Sequence, residues 1–286
     1  MRLVSILASL FAFGAAPVSA QVAEDFFRGK QISLLVGSGA GGGYDAYART
    51  FARHFSKHIP GAPSIVVKNL PAAGGMQAAN TLYATADKDG LTIAAHTNGI
   101  AMDPLFGNPA AKFDGRNFAW LGSIGKLQNV CLVRADSPAK SIDDARKREI
   151  TVAGAGATSN TVITPKIINA LLGTKFKVIA GYEPGQGDTI ALENGEVEGV
   201  CGLAWSTIKA SRIQWITQKQ VTVLVQMALE KLPDLPDVPV ALDLVTDPTS
   251  KKVLELILAR QEMGRPFADR KSTRLNSSHV ALSRMP

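Results

Sequence analysis

The chain has 286 residues, of which 46% are hydrophobic and 19% charged, with 31 Lys+Arg against 24 Asp+Glu and a net charge of +7. So much apolar sequence excludes intrinsic disorder, and the length suits two domains of about 100–200 residues each. Met1–Ala20 holds one basic residue and Lys271–Pro286 three, neither with an acid, so the rest carries +3; no Lys/Arg block marks nucleic acid as a partner.

At the N-terminus, Arg2, the apolar run Leu3–Ala15 and Val18-Ser19-Ala20 before Gln21 read as a secretory signal over residues 1–20. The chain is therefore expected to be exported and soluble outside the cytoplasm. Gln31–Val36 is a first strand, ending in the glycine loop Gly37–Gly43. A helix over Tyr44–His58 follows, with Tyr44, Tyr47, Ala48, Phe51 and Phe55 on one face. Pro60-Gly61-Ala62-Pro63 stops it, and Ser64–Lys68 is a second strand. The loop Asn69–Gly75 opens a helix over Met76–Thr85, and Lys88-Asp89-Gly90 turns into a third strand, Leu91–Ala95.

A second block begins around Trp120. Strands are expected at Asn129–Val133, Ile150–Ala153, Phe176–Ile179, Gly199–Leu203 and Val221–Val225. Helices are expected at Ile142–Arg148, capped by Ser141, and over Thr161–Leu172, Thr189–Asn194 and Ser250–Met263. Pro233, Pro236 and Pro239 make a linker-like stretch. Alternating strands and helices argue for an α/β fold with largely parallel sheets. Lys271–Pro286 resembles translated adapter sequence and is expected to be a non-native tail after a C-terminal truncation.

Three strand-to-helix loops, Ser38–Asp45, Pro71–Met76 and Gly154–Asn160, would present unpaired N–H groups at a helix start, where an anion binds without a cationic side chain. Together, in two domains, they point to a ligand cleft. Gly37-Ser38-Gly39-Ala40-Gly41-Gly42 matches the dinucleotide fingerprint, but the second strand ends at Lys68-Asn69 with no acid for a ribose. There is no P-loop and no Gly-x-Ser-x-Gly elbow. His54 and His58 are read as solvated helix surface and His96 as polar lining of the cleft. Asp45 has two readings, a first-turn helix charge or an organiser of the loop. Cys131 and Cys201 fall on strands of the second block and are expected to pair as a disulfide, with buried free thiols as the alternative.

Phe26–Gly43 with Tyr44-Asp45, Asn69-Leu70-Pro71 with Gly74-Gly75, Lys88-Asp89-Gly90, Gly181-Tyr182, Gly195-Glu196-Val197 and Asp234–Pro239 resemble the Bug-type solute receptors of tripartite tricarboxylate transporters. The resemblance runs from about Ala23 to Phe267. It implies a two-lobed periplasmic binding protein of type II, a Venus flytrap closing on a small carboxylate such as a di- or tricarboxylate or an amino acid. It also implies delivery to membrane subunits of such a transporter, no cofactor, no metal and a monomeric state. In that family, backbone amides of one loop per lobe hold the carboxylate, without an arginine clamp. Carried onto this chain, the contacts are Ser38, Gly39, Ala40, Gly41, Gly42, Gly43, Tyr44 and Asp45, with Ala73 and Gly74, in one lobe. In the other they are Gly156, Ala157, Thr158, Ser159 and Asn160, with Asn98, Tyr182 and Ala204 as neighbours. The first lobe is expected to comprise 21–119 plus 226–270, and the second 120–225. An exported α/β hydrolase is the alternative, but it needs a nucleophile–base pair that the sequence does not offer.

Overall fold

The computed structural model describes Phe26–Arg270, so the expected signal over 1–20 and the expected tail over 271–286 lie outside the described residues. Within that span the chain forms two five-stranded mixed sheets. In the first, β1 (Gln31–Val36) pairs in parallel with β2 (Ser64–Asn69) and β3 (Thr92–Ala95). Beyond β3 come β4 (Phe118–Ser123) and β10 (Pro266–Arg270), with β10 antiparallel to both neighbours and lying between them. The second sheet repeats this plan. β6 (Ile150–Gly154) pairs in parallel with β7 (Phe176–Ala180) and β8 (Gly199–Ala204), and β5 (Asn129–Arg134) runs antiparallel between β8 and β9 (Val221–Met227).

The parallel strands and their helices follow the expected elements closely. Short apolar runs become strands covered by helices on their faces, and Leu34, Val36, Val152 and Val200 are fully buried. Ser141 forms a capping box with Asp144 at the start of helix Ile142–Lys147. Cys131 and Cys201 stand opposite each other on β5 and β8 and form a disulfide across 70 residues of sequence.

The expectation of largely parallel sheets holds for four strands of each sheet, while the fourth position is filled by a single antiparallel strand. Each such strand enters where the chain crosses between lobes, β5 directly after β4 and β10 at the end of the described chain. The lobe boundaries shift accordingly. Strand 118–123 belongs to the first sheet, so residue 120 is not where the second lobe begins. Helix Pro248–Ala259 buries Leu254 and Leu258 in the core beneath the second sheet, together with Ala241 and Val245. Of the stretch 226–270 expected in the first lobe, only the β10 strand joins that sheet.

The two crossovers lie against each other. Ile124 N donates to Arg265 O (3.2 Å), Leu127 N to Gln261 O (3.1 Å) and Arg265 N to Ser123 Oγ (3.0 Å). The lobes thus share a narrow, hydrogen-bonded hinge rather than a continuous sheet.

Candidate functional site

Between the lobes lies a cavity of about 720 Å³, within the usual range for a small-molecule site. On the first lobe, β1 ends at Val36 and the chain turns through 37–42 into helix Gly43–Phe55. Gly42 is the N-cap and offers no side chain, so the first-turn amides face the cavity without a side-chain acceptor. On the second, β6 runs through 155–159 into helix Asn160–Leu172, whose N-cap Ser159 also makes no capping bond. Instead its hydroxyl lies 3.1 Å from Thr161 Oγ1, which accepts from Ala155 N at 3.1 Å. Two helix starts therefore converge on one cavity, a field suited to an anion.

Asp45 holds the first loop in shape. Its carboxylate is 2% exposed. Oδ2 accepts from Gly41 N and from Arg49 Nε, both at 2.9 Å, and Oδ1 accepts from Asn69 Nδ2 at 2.8 Å. The same Asn69 amide donates to Ser38 O at 2.9 Å. Burial pushes the carboxyl up, but the bonds from Arg49, Asn69 and Gly41 outweigh it and hold Asp45 below the ordinary carboxylate range. Of the two sequence readings, the hydrogen bonds make it the loop's organiser.

The lobes touch backbone to backbone beside the cavity. A methyl group on Gly39 would lie 1.7 Å from Pro184 O. Gly41, at φ +76°, would push a Cβ to 1.9 Å from the side-chain amide of Gln186. A third contact joins the 71–76 loop, where Ala73 takes a left-handed φ of 52°, to Thr158 of the second lobe.

Ser38, Gly39, Gly41, Gly42, Gly43, Tyr44, Ala73, Gly74, Asn98, Gly156, Ala157, Thr158, Ser159, Asn160 and Ala204 all line this cavity. Three expected residues do not. Ala40 is exposed, with its carbonyl beside Gly185 of the second lobe, and Asp45 lies behind the loop. Tyr182 packs against the second-lobe core, where burial and Glu196 push its phenol up, while Pro184, Gly185 and Gln186 of the same loop reach the cavity. His96, expected as polar lining, is buried behind the site. Its ring stacks on Phe118 (5.4 Å) and meets Trp120 edge-on (6.0 Å), and burial pushes its pKa down to about 3. His54 and His58 are exposed, as expected.

Sequence reasoning missed the charged groups of the cavity and the hydroxyl of Thr207. Arg260 and Arg265 flank the hinge, Asp103 follows β3, Asp188 starts helix Gly187–Glu193, and Thr207 sits on helix Trp205–Ser211. Isolated residues in crossovers and short helices carry no periodic signal. Asp188 is 6% exposed, and burial pushes its pKa up to about 6 despite the bond from Thr189 N. Four buried polar atoms lining the cavity have no protein partner: Asn98 Nδ2, Thr158 Oγ1, Asn129 Oδ1 and Arg265 Nε. Buried donors and acceptors are rarely left unmatched, and three of these four can donate. Among the described residues no group of three or more His, Cys, Asp or Glu could hold a metal, and no helix is long and apolar enough to cross a membrane.

Two α/β lobes, a paired hinge and a cavity between helix starts make up the two-lobed fold of periplasmic binding proteins. The model of the tripartite tricarboxylate transporter family receptor matches residues 47–254, and the chain belongs to that family. It is 29% identical over 219 residues to a protein encoded between tcbD and tcbE in Pseudomonas sp. (strain P51), covering 75% of this chain and 63% of that protein. A protein of Agrobacterium vitis is 29% identical over 231 residues, covering 76% of this chain and 62% of the relative. The match thus spans less than two thirds of those relatives' length. The periplasmic binding protein BugD superposes with a TM-score of 0.68 at 20% identity, covering 88% of this chain and 81% of BugD. MatC from Rhodopseudomonas palustris with bound malate superposes with a TM-score of 0.64 at 22% identity, covering 89% and 84%. An R. palustris protein with adipate does so at 0.64 and 18% identity, covering 89% and 80%. At these identities the likeness is one of fold.

Proposed function

We propose that this chain is an extracytoplasmic solute receptor. It captures a small carboxylate in the periplasm as a monomer and delivers it to the membrane subunits of a tripartite tricarboxylate-type transporter. The observation that carries this reading is the convergence of two uncapped helix starts, one from each lobe, on a cavity holding unmatched buried donors. A carboxylate there would accept from backbone amides of Gly43 and Tyr44 at one helix start, from those of Gly156, Ala157, Thr158 and Asn160 at the other, and from the side chains of Asn98 and Thr158. Binding across both loops would favour the closed arrangement of the lobes, since only then can one anion reach both sets of donors. Family membership, and neighbours of the same fold that hold malate and adipate, support the class of ligand. They also support binding without turnover.

Thermal-shift and calorimetric titration against dicarboxylates, tricarboxylates, amino acids and aromatic acids tests this. One class should stabilise the protein by about 2.7 kcal/mol at a hundredfold excess over Kd and be recovered unchanged. No stabilisation by any acid, or conversion of the bound acid, would refute the reading.

A further inference from the structure

We infer that Arg265 is the residue that makes this cleft select a ligand bearing a second acidic group. The inference rests on the receptor reading above and adds to it a specificity determinant. Arg265 follows Gly264 in the second crossover, is 3% exposed and lines the cavity. Its guanidinium lies 3.8 Å from the ring centroid of Tyr47 and 5.8 Å from that of Tyr44, both on the first-lobe helix. Nη2 donates to Ser206 Oγ (2.9 Å) and Thr207 Oγ1 (3.4 Å) on the second lobe. One side chain thus touches both lobes at the hinge.

All of those partners are neutral. Burial pushes the Tyr44 phenol up, so it supplies no counter-charge, and Nε has no partner at all. No described Asp or Glu forms an ion pair with Arg265. A guanidinium remains protonated in proteins, so this is a buried cation held only by aromatic faces and hydroxyls. Arg260 also lines the cavity without an ion pair to any described Asp or Glu, donating from Nη2 to Asn160 Oδ1 at 3.1 Å, with the Asp103 carboxylate in its surroundings. Arg265 is the one of the two whose guanidinium keeps a buried N–H without a partner.

The helix starts, with Asn98 and Thr158, already suffice for one carboxylate. A second, at the hinge side, would neutralise Arg265 and satisfy Nε, and the planar fork suits a carboxylate. A monoacid of the same length would leave that cation as unmatched as before. A diacid would also tie the hinge to both lobes through one ion pair.

Calorimetry on the full chain with matched pairs, succinate against butyrate and adipate against hexanoate, tests this. The wild type should bind the better diacid at least 30-fold more tightly than its monoacid partner. Arg265→Gln should lower diacid affinity at least 30-fold while changing monoacid affinity under threefold, collapsing the discrimination. Should Arg265→Gln fail to fold by circular dichroism, Arg265→Lys keeps the charge but lacks the fork, and it should cost the diacid at least tenfold and the monoacid under threefold. Equal losses for both acids, or intact discrimination, would make Arg265 a structural residue and overturn the assignment. So would a wild type that binds monoacids as tightly as diacids, with the receptor reading left standing. A wild type that binds no carboxylate at all would overturn both.

Discussion

Gly39 and Pro184 meet across the cleft so closely that a methyl group on the glycine would stand 1.7 Å from the proline carbonyl oxygen. The glycine loop therefore serves lobe apposition as well as access to its own amides. Gly39→Ala should hold the lobes apart at a cost of ~1–3 kcal/mol, a loss of ligand affinity of roughly 5- to 150-fold. Small-angle scattering with saturating ligand should give a larger radius of gyration for the variant. Unchanged affinity and radius would mean that the contact relaxes freely.

Asp45 links Gly41, Arg49 and Asn69 through one buried carboxylate. Removing it in Asp45→Ala leaves a buried N–H and an amide unmatched, which costs ~1–3 kcal/mol by thermal denaturation and weakens ligand binding. Because its pKa is lowered in the fold, its stabilisation is complete above its unfolded pKa and is lost as pH falls through the folded value. The deficit of the variant should therefore shrink in acid. A deficit that does not change with pH would assign the effect to packing alone.

His96 also destabilises the fold in acid, but its effect begins at a higher pH. Its folded pKa of about 3 lies below the unfolded one, so the native state binds fewer protons and stability falls as pH drops below ~6.5. For this one group the loss is about 1.4 kcal/mol per pH unit, continuing toward pH 3. His96→Phe keeps a ring between Phe118 and Trp120 and cannot be protonated. Melting temperatures taken from pH 7 to pH 5 should favour the variant increasingly, and parallel curves would show that His96 is protonated without strain on the fold.

The Cys131–Cys201 disulfide closes 70 residues of the second lobe. A Cys131→Ala/Cys201→Ala protein should lose ~2–4 kcal/mol, or roughly 5–15 °C in melting temperature. Alkylation of the native protein should label no thiol before reduction. Two labelled thiols without reductant would contradict the pairing.

Much of this protein was legible in its residues because the information is local. Apolar runs of five or six residues followed by glycine and an amphipathic stretch specify strand, turn and helix, and Gln31–Phe55 and Ile150–Leu172 formed as read. The two glycine loops were visible for the same reason, and so was the cysteine pair as a choice between two states. What the tertiary structure alone decided is non-local. Pro266–Arg270 has no strand signature of its own and becomes β10 because the gap between β3 and β4 offers it hydrogen bonds on both edges. Leu254 and Leu258 could have covered either sheet, and the geometry of the crossover sent them to the second. His96 at a strand end looked like a cleft residue, until the arrival of Phe118 and Trp120 on β4 enclosed it. Arg265 is one basic residue among 31 Lys+Arg in sequence. Only the meeting of hinge, first-lobe tyrosines and second-lobe hydroxyls turns it into a buried charge without a counter-ion, because desolvation and pairing depend on neighbours brought together from distant parts of the chain.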